Sequence, residues 1–260
     1  MKSYIVIIAT CLLMIGNCTF LRAQYTMGNT GLLHMPTGEM QKDGTALIGG
    51  SYLNKHSMPN SWTYNTYNYY VNITFLPFIE IAYTCHLLSF GEWGKNGKHF
   101  NNQDRAFSGR IRLFKEGQLW KHMPGMTIGA YDPASGTYGG GEAIVNQSEG
   151  SHNYFAHYYI AATKHVELKK WGTLGGHSAY IYSRGTGNEY KGVAIGADFR
   201  PIFHPKLDLM AEYDARRFNC GLQYNFFKYF ICTFELQEFK YISTGLTLRI
   251  YLKKDKPQAE

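Results

Sequence analysis

The chain has 260 residues, a formal net charge of +7 at pH 7 and an aromatic content of 16%. Its basic residues are scattered and form no stripe, which argues against a nucleic-acid-binding protein. The cysteines beyond the N-terminal segment are Cys85, Cys220 and Cys232, too few for a fold that disulfides hold together. We therefore expect a fold that is stable without disulfides, with these residues as free thiols on the lipid-facing, apolar side of their strands.

Residues 1–23 have the layout of a secretory signal peptide. A positively charged start precedes the apolar run 4–15, and the small residue Ala23 marks the expected cleavage position. The apolar run is too short for a membrane helix. Lipidation at Cys18 is the alternative, but Asn17 stands where a small residue is expected. The sequence thus predicts an exported protein.

After this segment, apolar and polar residues alternate with a period of two, as in strands whose two faces meet different surroundings. In residues 217–226, polar residues and Gly occupy one face, and Phe, Cys, Leu and Tyr occupy the other. The alternation predicts an all-β fold in residues 45–252, preceded by an N-terminal segment at 24–44 and followed by a charged tail at 253–260. The expected strands are 45–53, 64–76, 79–88, 105–113, 125–131, 153–165, 174–182, 192–200, 207–214, 217–226, 229–237 and 241–252.

The connections between these strands sort by length. Long polar connections fall at 54–63, 89–104, 132–152 and 183–191, and tight turns fall at 76–78, 203–206 and 227–228. Long external loops and short periplasmic turns are typical of outer-membrane barrels, although 115–124 is longer than this pattern expects. A soluble antiparallel sandwich or barrel is the alternative, but it has no reason to sort its loops. We therefore predict a single antiparallel transmembrane β-barrel of about twelve strands, surrounded by the lipid of a Gram-negative outer membrane.

Opposite charges occupy the strand faces that are expected to point into the barrel. Because they lie on neighbouring strands, we expect them to pair across the sheet and to fill the lumen. The segment from Tyr25 to Gly44 would then cap or enter the periplasmic mouth. A wet channel lined by the same side chains is the alternative. The expected lumen charge network consists of Glu80, Arg110, Arg112, Asp198, Arg200, Glu212, Asp214, Arg217, Glu235 and Arg249.

No group of residues has the spacing of a catalytic or metal site. His177 and Ser178 are adjacent, but neighbours on a strand point to opposite faces and cannot act together as in a lipolytic barrel. The stretch Gly139–Gly141 lacks the Lys and Ser/Thr of a phosphate-binding loop. Three further histidines lack close metal-ligand spacing: His152, His157 and His165. We expect no enzymatic activity, no cofactor and no metal.

Aromatic side chains in or beside the long loops are candidates for contact with sugars. They are Trp93, Tyr131 and Tyr138. The tyrosines of residues 64–70 fit an aromatic girdle with cross-strand packing better than a sugar site.

The N-terminal segment carries a family resemblance. The stretch Gly31-Leu32-Leu33-His34-Met35-Pro36-Thr37, followed by Asp43 and Gly44, resembles the opening motif of the YjbH family of outer-membrane proteins associated with exopolysaccharide production. Further matches follow in chain order, among them residues 75–80 and 209–214. Gly38 departs from the family pattern, which usually has Ala at this position.

The resemblance implies an outer-membrane barrel with a link to polysaccharide secretion, and it supplies no catalytic residues. We expect a non-enzymatic protein that assists production, export or surface attachment of an exopolysaccharide, together with other secretion components. The alternatives are a structural or adhesive surface barrel with functional external loops, and a lipolytic barrel enzyme. The final strand, at 243–250, resembles the C-terminal signal read by the barrel-assembly machinery, which makes that machinery an expected partner during biogenesis.

Overall fold

The computed structural model describes residues 26–58, 63–88, 102–133, 155–183 and 190–253. These residues form a closed antiparallel barrel in which consecutive strands pair and β1 closes on β12. All twelve expected strands are confirmed, with bounds that differ by four residues at most. The strands are β1 (Thr45–Leu53), β2 (Thr66–Phe75), β3 (Ile79–Leu88), β4 (Asn102–Phe114), β5 (Gly125–Tyr131), β6 (His157–Leu168), β7 (Gly172–Tyr182), β8 (Gly192–Pro201), β9 (Leu207–Tyr213), β10 (Phe218–Phe226), β11 (Phe230–Gln237) and β12 (Tyr241–Tyr251).

Strand β2 shows how the sequence pattern shapes the barrel, because its side chains alternate strictly between buried and exposed. The buried face is mostly polar and consists of Thr66, Asn68, Tyr70, Asn72 and Thr74. The exposed face is apolar and aromatic and consists of Tyr67, Tyr69, Val71, Ile73 and Phe75. A sheet in water has the opposite distribution, with apolar side chains in the core and polar ones outside. The barrel is therefore polar inside and apolar outside.

The two ends of the barrel differ in their connections. The turn end carries the connections 76–78, 115–124, 169–171, 202–206 and 227–229, and the chain also enters β1 and leaves β12 there. The loop end carries the long connections 54–65, 89–101, 132–156 and 183–191, and the short ones 214–217 and 238–240. The first loop-end connection includes a short 3-10 helix, Lys55–Ser57. Within the described residues, no helix combines the length and hydropathy that crossing a bilayer requires.

The cysteines of the barrel are free thiols, as expected. Cys220 lies opposite Leu236 and Cys232 opposite Tyr224, so these two cysteines are not cross-strand neighbours. Cys85 shares the outward side of its strand with exposed residues, but its side chain is fully buried. The expected outward side of the strand is therefore confirmed for Cys85, although its thiol is covered and donates to Gln103 Oε1 at 3.4 Å.

Residues 26–41, which we call the plug segment, lie inside the barrel, and every one of them is buried. The segment folds back on itself through an isolated bridge between Gly31 and Pro36. The backbone N–H of Thr26 also donates to the Leu33 carbonyl oxygen at 3.1 Å. The apolar residues of the segment pack into a cluster with barrel and loop-end side chains; its members include Met27, Leu32, Leu33, Met35, Tyr131, Phe155 and Tyr190. The N-terminal segment thus occupies the lumen.

Candidate functional site: the occupied lumen

Glu80 and Arg110 lie opposite each other on β3 and β4, and both bind the plug segment at Thr30. Glu80 accepts hydrogen bonds from the backbone N of Thr30 at 2.7 Å and from its hydroxyl at 2.6 Å. Arg110 donates to the carbonyl oxygens of Thr30, Thr37 and Glu39. Two opposite charges therefore hold the segment from neighbouring strands. Direct pairing of Glu80 with Arg110, which the sequence led us to expect, does not occur among the described contacts.

Glu212 on β9 binds three consecutive backbone amides of the plug segment. Its carboxylate oxygens lie 3.0 Å from the N of Leu33, 2.6 Å from the N of His34 and 3.3 Å from the N of Met35. Asn219 on β10 donates to the same carboxylate at 3.1 Å. Successive amides that converge on one anion form a nest, which suits a buried negative charge. Since Glu212 is only 1% exposed, these bonds replace its hydration.

His34 forms a buried contact with Glu235 on β11. Its Nε2 lies 2.6 Å from the Glu235 Oε1, and both side chains are almost completely inaccessible. Burial alone lowers the pKa of His34, but the carboxylates of Glu235, Glu212 and Asp214 outweigh this effect and raise the pKa above its ordinary value of 6.5. The surrounding carboxylates therefore favour the charged imidazolium form of His34, a positive charge carried by the plug segment.

Arg200 organises a second charged region nearer the turn end. Its guanidinium lies 3.1 Å from Asp198 Oδ2, 3.0 Å from Asp208 Oδ2 and 3.8 Å from Glu39 Oε1 of the plug segment. The partner of Arg200 on β9 is Asp208, which lies outside the expected network, whereas Glu212 of the same strand binds the plug segment. The alternation of β9 places both acids on the inner face, and the strand register brings the earlier one to Arg200.

Two histidines adjoin this charged region. His177 Nε2 lies 2.6 Å from Asp198 Oδ1, and His165 Nε2 lies 3.9 Å from the same oxygen and 3.4 Å from Glu39 Oε1. The metal-ligand atoms of His165, His177 and Asp198 lie within 4.8 Å of one another, so these residues could hold a metal ion. Ser178 is exposed on the outer face, which confirms that it cannot meet His177.

The remaining members of the expected network are distributed along the lumen. Asp214 accepts from the backbone N of Arg217 at 2.8 Å and from Asn219 at 3.1 Å. Arg217 donates to the carbonyl oxygen of His56. Arg249 donates to Asn225 at 3.3 Å, and Arg112 donates to the Met40 carbonyl oxygen at 3.2 Å. Of the ten network residues, eight lie on inner strand faces, whereas Asp214 and Arg217 lie in the short connection between β9 and β10.

The residues of the N-terminal motif build the plug segment and its junction with the barrel. Gly31 and Pro36 close its bridge, and the Thr37 carbonyl oxygen accepts hydrogen bonds from barrel side chains. Asp43 pairs with Lys253 at 2.6 Å beyond the last strand. Gly44 has a φ of 73°, a backbone conformation that favours glycine immediately before β1.

Gly38 has a steric reason to be glycine. A Cβ at this position would overlap the carbonyl oxygen of Gly125 and lie 2.7 Å from the backbone N of Thr163. The N–H of Gly38 also donates to the Thr163 hydroxyl at 2.8 Å. Glycine at position 38, where the family usually has alanine, therefore allows the plug segment to lie close to the backbones of β5 and β6.

The expected sugar-contact residues do not form an accessible site in the described part of the chain. Tyr131 ends β5 with its side chain fully buried, where its ring stacks on His157 at a centroid distance of 5.5 Å. The prediction that Tyr131 is open to external sugar is therefore wrong, because the alternation of β5 places its side chain inside the barrel. Trp93 and Tyr138 lie outside the described residues.

These features define a twelve-stranded antiparallel β-barrel whose lumen is occupied by its own N-terminal segment. The family model YjbH, described as "Exopolysaccharide biosynthesis protein YbjH", matches residues 23–188. This match spans the plug segment and β1 to β7, more than half of the chain, and the protein therefore belongs to the YjbH family. No curated protein matches the chain. The anchors Glu212 and Glu235 lie beyond the matched range.

Proposed function

We propose that this protein is a non-enzymatic outer-membrane barrel that assists the production, export or surface attachment of an exopolysaccharide. The observation that carries the membrane assignment is the reversed distribution of side chains. Large apolar residues are exposed around the outside, among them Ile73, Ile81, Ile111, Ile128, Ile160 and Ile195. An apolar surface of this extent is costly in water and favourable in a bilayer.

The ends of the barrel support the same assignment. Trp171 is 71% exposed and Phe203 is 83% exposed, both in connections at the turn end. Aromatic residues are enriched where a bilayer meets water, so these side chains suit an interfacial girdle. Short turns at this end and long connections at the other match the periplasmic and external sides of such a barrel. We therefore assign the turn end to the periplasm.

The occupied lumen defines the closed state of the proposed barrel. With residues 26–41 buried inside, side chains and backbone of the plug segment occupy the interior of the barrel. A polysaccharide chain would cross this barrel only after the plug segment is displaced. The link to exopolysaccharide rests on the family, whose described role is exopolysaccharide biosynthesis.

Two experiments test this function. The mature protein should require detergent and should migrate differently in gels before and after heating, as closed barrels do. A water-soluble, monodisperse mature chain would refute the membrane assignment. In a deletion strain, matrix or capsule sugar should fall and should return when the wild-type gene is restored. Unchanged sugar with altered adhesion would favour a structural or adhesive barrel instead, and hydrolysis of phospholipid micelles by the purified protein would favour an enzyme.

A further inference from the structure

Three potential metal ligands converge at the turn end of the lumen from three strands, namely His165 on β6, His177 on β7 and Asp198 on β8. Glu39 of the plug segment lies beside His165 and is the candidate for a fourth ligand. The His165 Nε2 lies 3.4 Å from Glu39 Oε1 and 3.9 Å from Asp198 Oδ1. Tetrahedral zinc with bonds of about 2.0–2.1 Å separates its ligand atoms by about 3.3 Å. The distances from His165 Nε2 to the two carboxylate oxygens are therefore close to the ligand spacing of a metal centre. His177 Nε2 and Asp198 Oδ1, which are 2.6 Å apart, would move apart by about 0.7 Å on binding.

The second ring nitrogen of each histidine is already held by an oxygen. His165 Nδ1 lies 2.7 Å from Glu116 Oε2, and His177 Nδ1 lies 2.8 Å from the Thr163 hydroxyl. Because an ionised carboxylate only accepts, the His165 Nδ1 carries the proton, and in the neutral ring the Nε2 lone pair points to the cluster. Metal-binding histidines commonly have this carboxylate or hydroxyl support, which orients the ring and raises its basicity.

His165 Nε2 has a further property that suits a ligand. It is buried and makes no hydrogen bond, although two carboxylates lie nearby. A buried polar atom without a hydrogen bond is unusual in a folded protein. A cation bound between the imidazole and the carboxylates would satisfy this atom.

The local charge also favours a divalent cation. When ionised, Glu39, Asp198, Asp208 and Glu116 supply four negative charges around the cluster. Their positive neighbours are the guanidinium of Arg200 and the ammonium of Lys164, which lies 3.0 Å from Glu116. With neutral histidines, the region carries two uncompensated negative charges. One divalent ion would balance them.

We propose that His165, His177 and Asp198, with Glu39 as the fourth ligand, bind a divalent transition-metal ion of the zinc type. Two imidazoles and two carboxylates form a donor set that suits Zn²⁺ and neighbouring first-row ions. Since Glu39 belongs to the plug segment, the ion ties this segment to the barrel wall near the periplasmic mouth.

The test measures Zn²⁺ binding to the purified, folded protein after treatment with a chelator. A competition titration with a chromophoric zinc chelator should give one ion per barrel, and X-ray absorption should show nitrogen and oxygen neighbours at about 2.0 Å. Glu116→Gln replaces the carboxylate that supports His165 and pairs with Lys164, without removing a ligand, and should weaken binding by about 10- to 100-fold. His177→Gln should abolish binding at this site. The matched control His122→Gln removes an exposed turn-end histidine and should bind as the wild type does.

The outcomes are distinguishable. Absence of saturable Zn²⁺ binding by the wild type would overturn the proposal, as would binding that His177→Gln and Glu116→Gln leave unchanged. Loss of binding in His177→Gln with unchanged binding in Glu39→Gln would overturn the role of the plug segment as fourth ligand. Heat-dependent gel migration of each variant shows that its barrel is folded. The X-ray absorption of the wild type supplies a result that does not depend on any variant.

Discussion

Replacement of Glu212 by Leu should release the plug segment while the barrel stays folded. The carboxylate of Glu212 accepts hydrogen bonds from the backbone N–H groups of Leu33, His34 and Met35. A leucine side chain fills a similar volume but has no hydrogen-bond acceptor. Each buried donor that loses its acceptor costs about 1–3 kcal/mol, so three amides destabilise the docked segment by roughly 3–9 kcal/mol. Even the lower value shifts the equilibrium between docked and released segment by roughly 100-fold.

Planar-bilayer recording measures this shift directly. The wild type should show little conductance, and Glu212→Leu should open frequently or remain open. Glu167→Leu is a matched control, because Glu167 is exposed near the turn end of β6 and makes none of the described contacts with the plug segment. It should behave like the wild type. A silent Glu212→Leu variant with normal heat-dependent migration would refute the reasoning, and so would a large, steady conductance of the wild type.

Three further predictions follow from individual contacts. Burial lowers the pKa of His34, but the carboxylates of Glu235, Glu212 and Asp214 raise it above 6.5. The contribution of the His34–Glu235 contact to docking of the plug segment is therefore complete below pH 6.5 and is lost as pH rises through the raised pKa. Bilayer openings should therefore increase at alkaline pH in the wild type and lose this dependence in His34→Gln; identical pH profiles would contradict the assignment. Gly38→Ala should destabilise the docked segment by about 1–3 kcal/mol, because the added methyl group overlaps the β5 backbone. Hydrogen exchange of residues 26–41 should become faster, and unchanged protection would count against this steric account. Mass spectrometry of unreduced peptides should recover Cys85, Cys220 and Cys232 as thiols, whereas a Cys220–Cys232 link would be incompatible with the observed register.

The strands could be predicted from the sequence because each one separates two chemically different environments. In β2 the polar residues face the lumen and the apolar ones face outward, so the period of two is visible without any knowledge of the fold. The same alternation assigns Glu80 and Glu212 to the lumen. It does not identify their partners, because the contacts of Glu212 join residues 177 to 179 positions apart in the chain. Alternation therefore gives the face of a side chain and leaves its partner open.

The histidine cluster was missed for a related reason. His165 and His177 lack the short sequence spacing of common metal motifs. In the sequence, His177 stands beside Ser178, and His165 was grouped with His152 and His157 as a possible metal site. The register of β6 and β7 nevertheless places Thr163 opposite His177 and His165 opposite Gly175, so the two histidines are diagonal neighbours on the inner face. The tight turn at 169–171, combined with alternation, was the signal that could have brought them together.

Tyr131 shows a second limit of the sequence analysis. Its position beside a long connection suggested access to external sugar, but it is the last residue of β5 and points inward. The end of a strand keeps the alternation of the strand. Proximity to a loop in sequence therefore does not place a side chain on the surface.

The most direct test of the central claim is a crosslink between the plug segment and the barrel wall in membranes. Asn29 Oδ1 accepts a hydrogen bond from the Ser108 hydroxyl at 3.0 Å, so cysteines at these positions lie close together. In a background with Cys85, Cys220 and Cys232 replaced by serine, Asn29→Cys with Ser108→Cys should be joined by a short bifunctional thiol reagent. A control pair, Asn29→Cys with the outward-facing Ser178→Cys, should not be joined. Detection of the linked 29–108 peptide by mass spectrometry is the predicted result; its absence, with position 29 freely labelled by a membrane-impermeant maleimide, would contradict a lumen closed by the protein's own N-terminal segment.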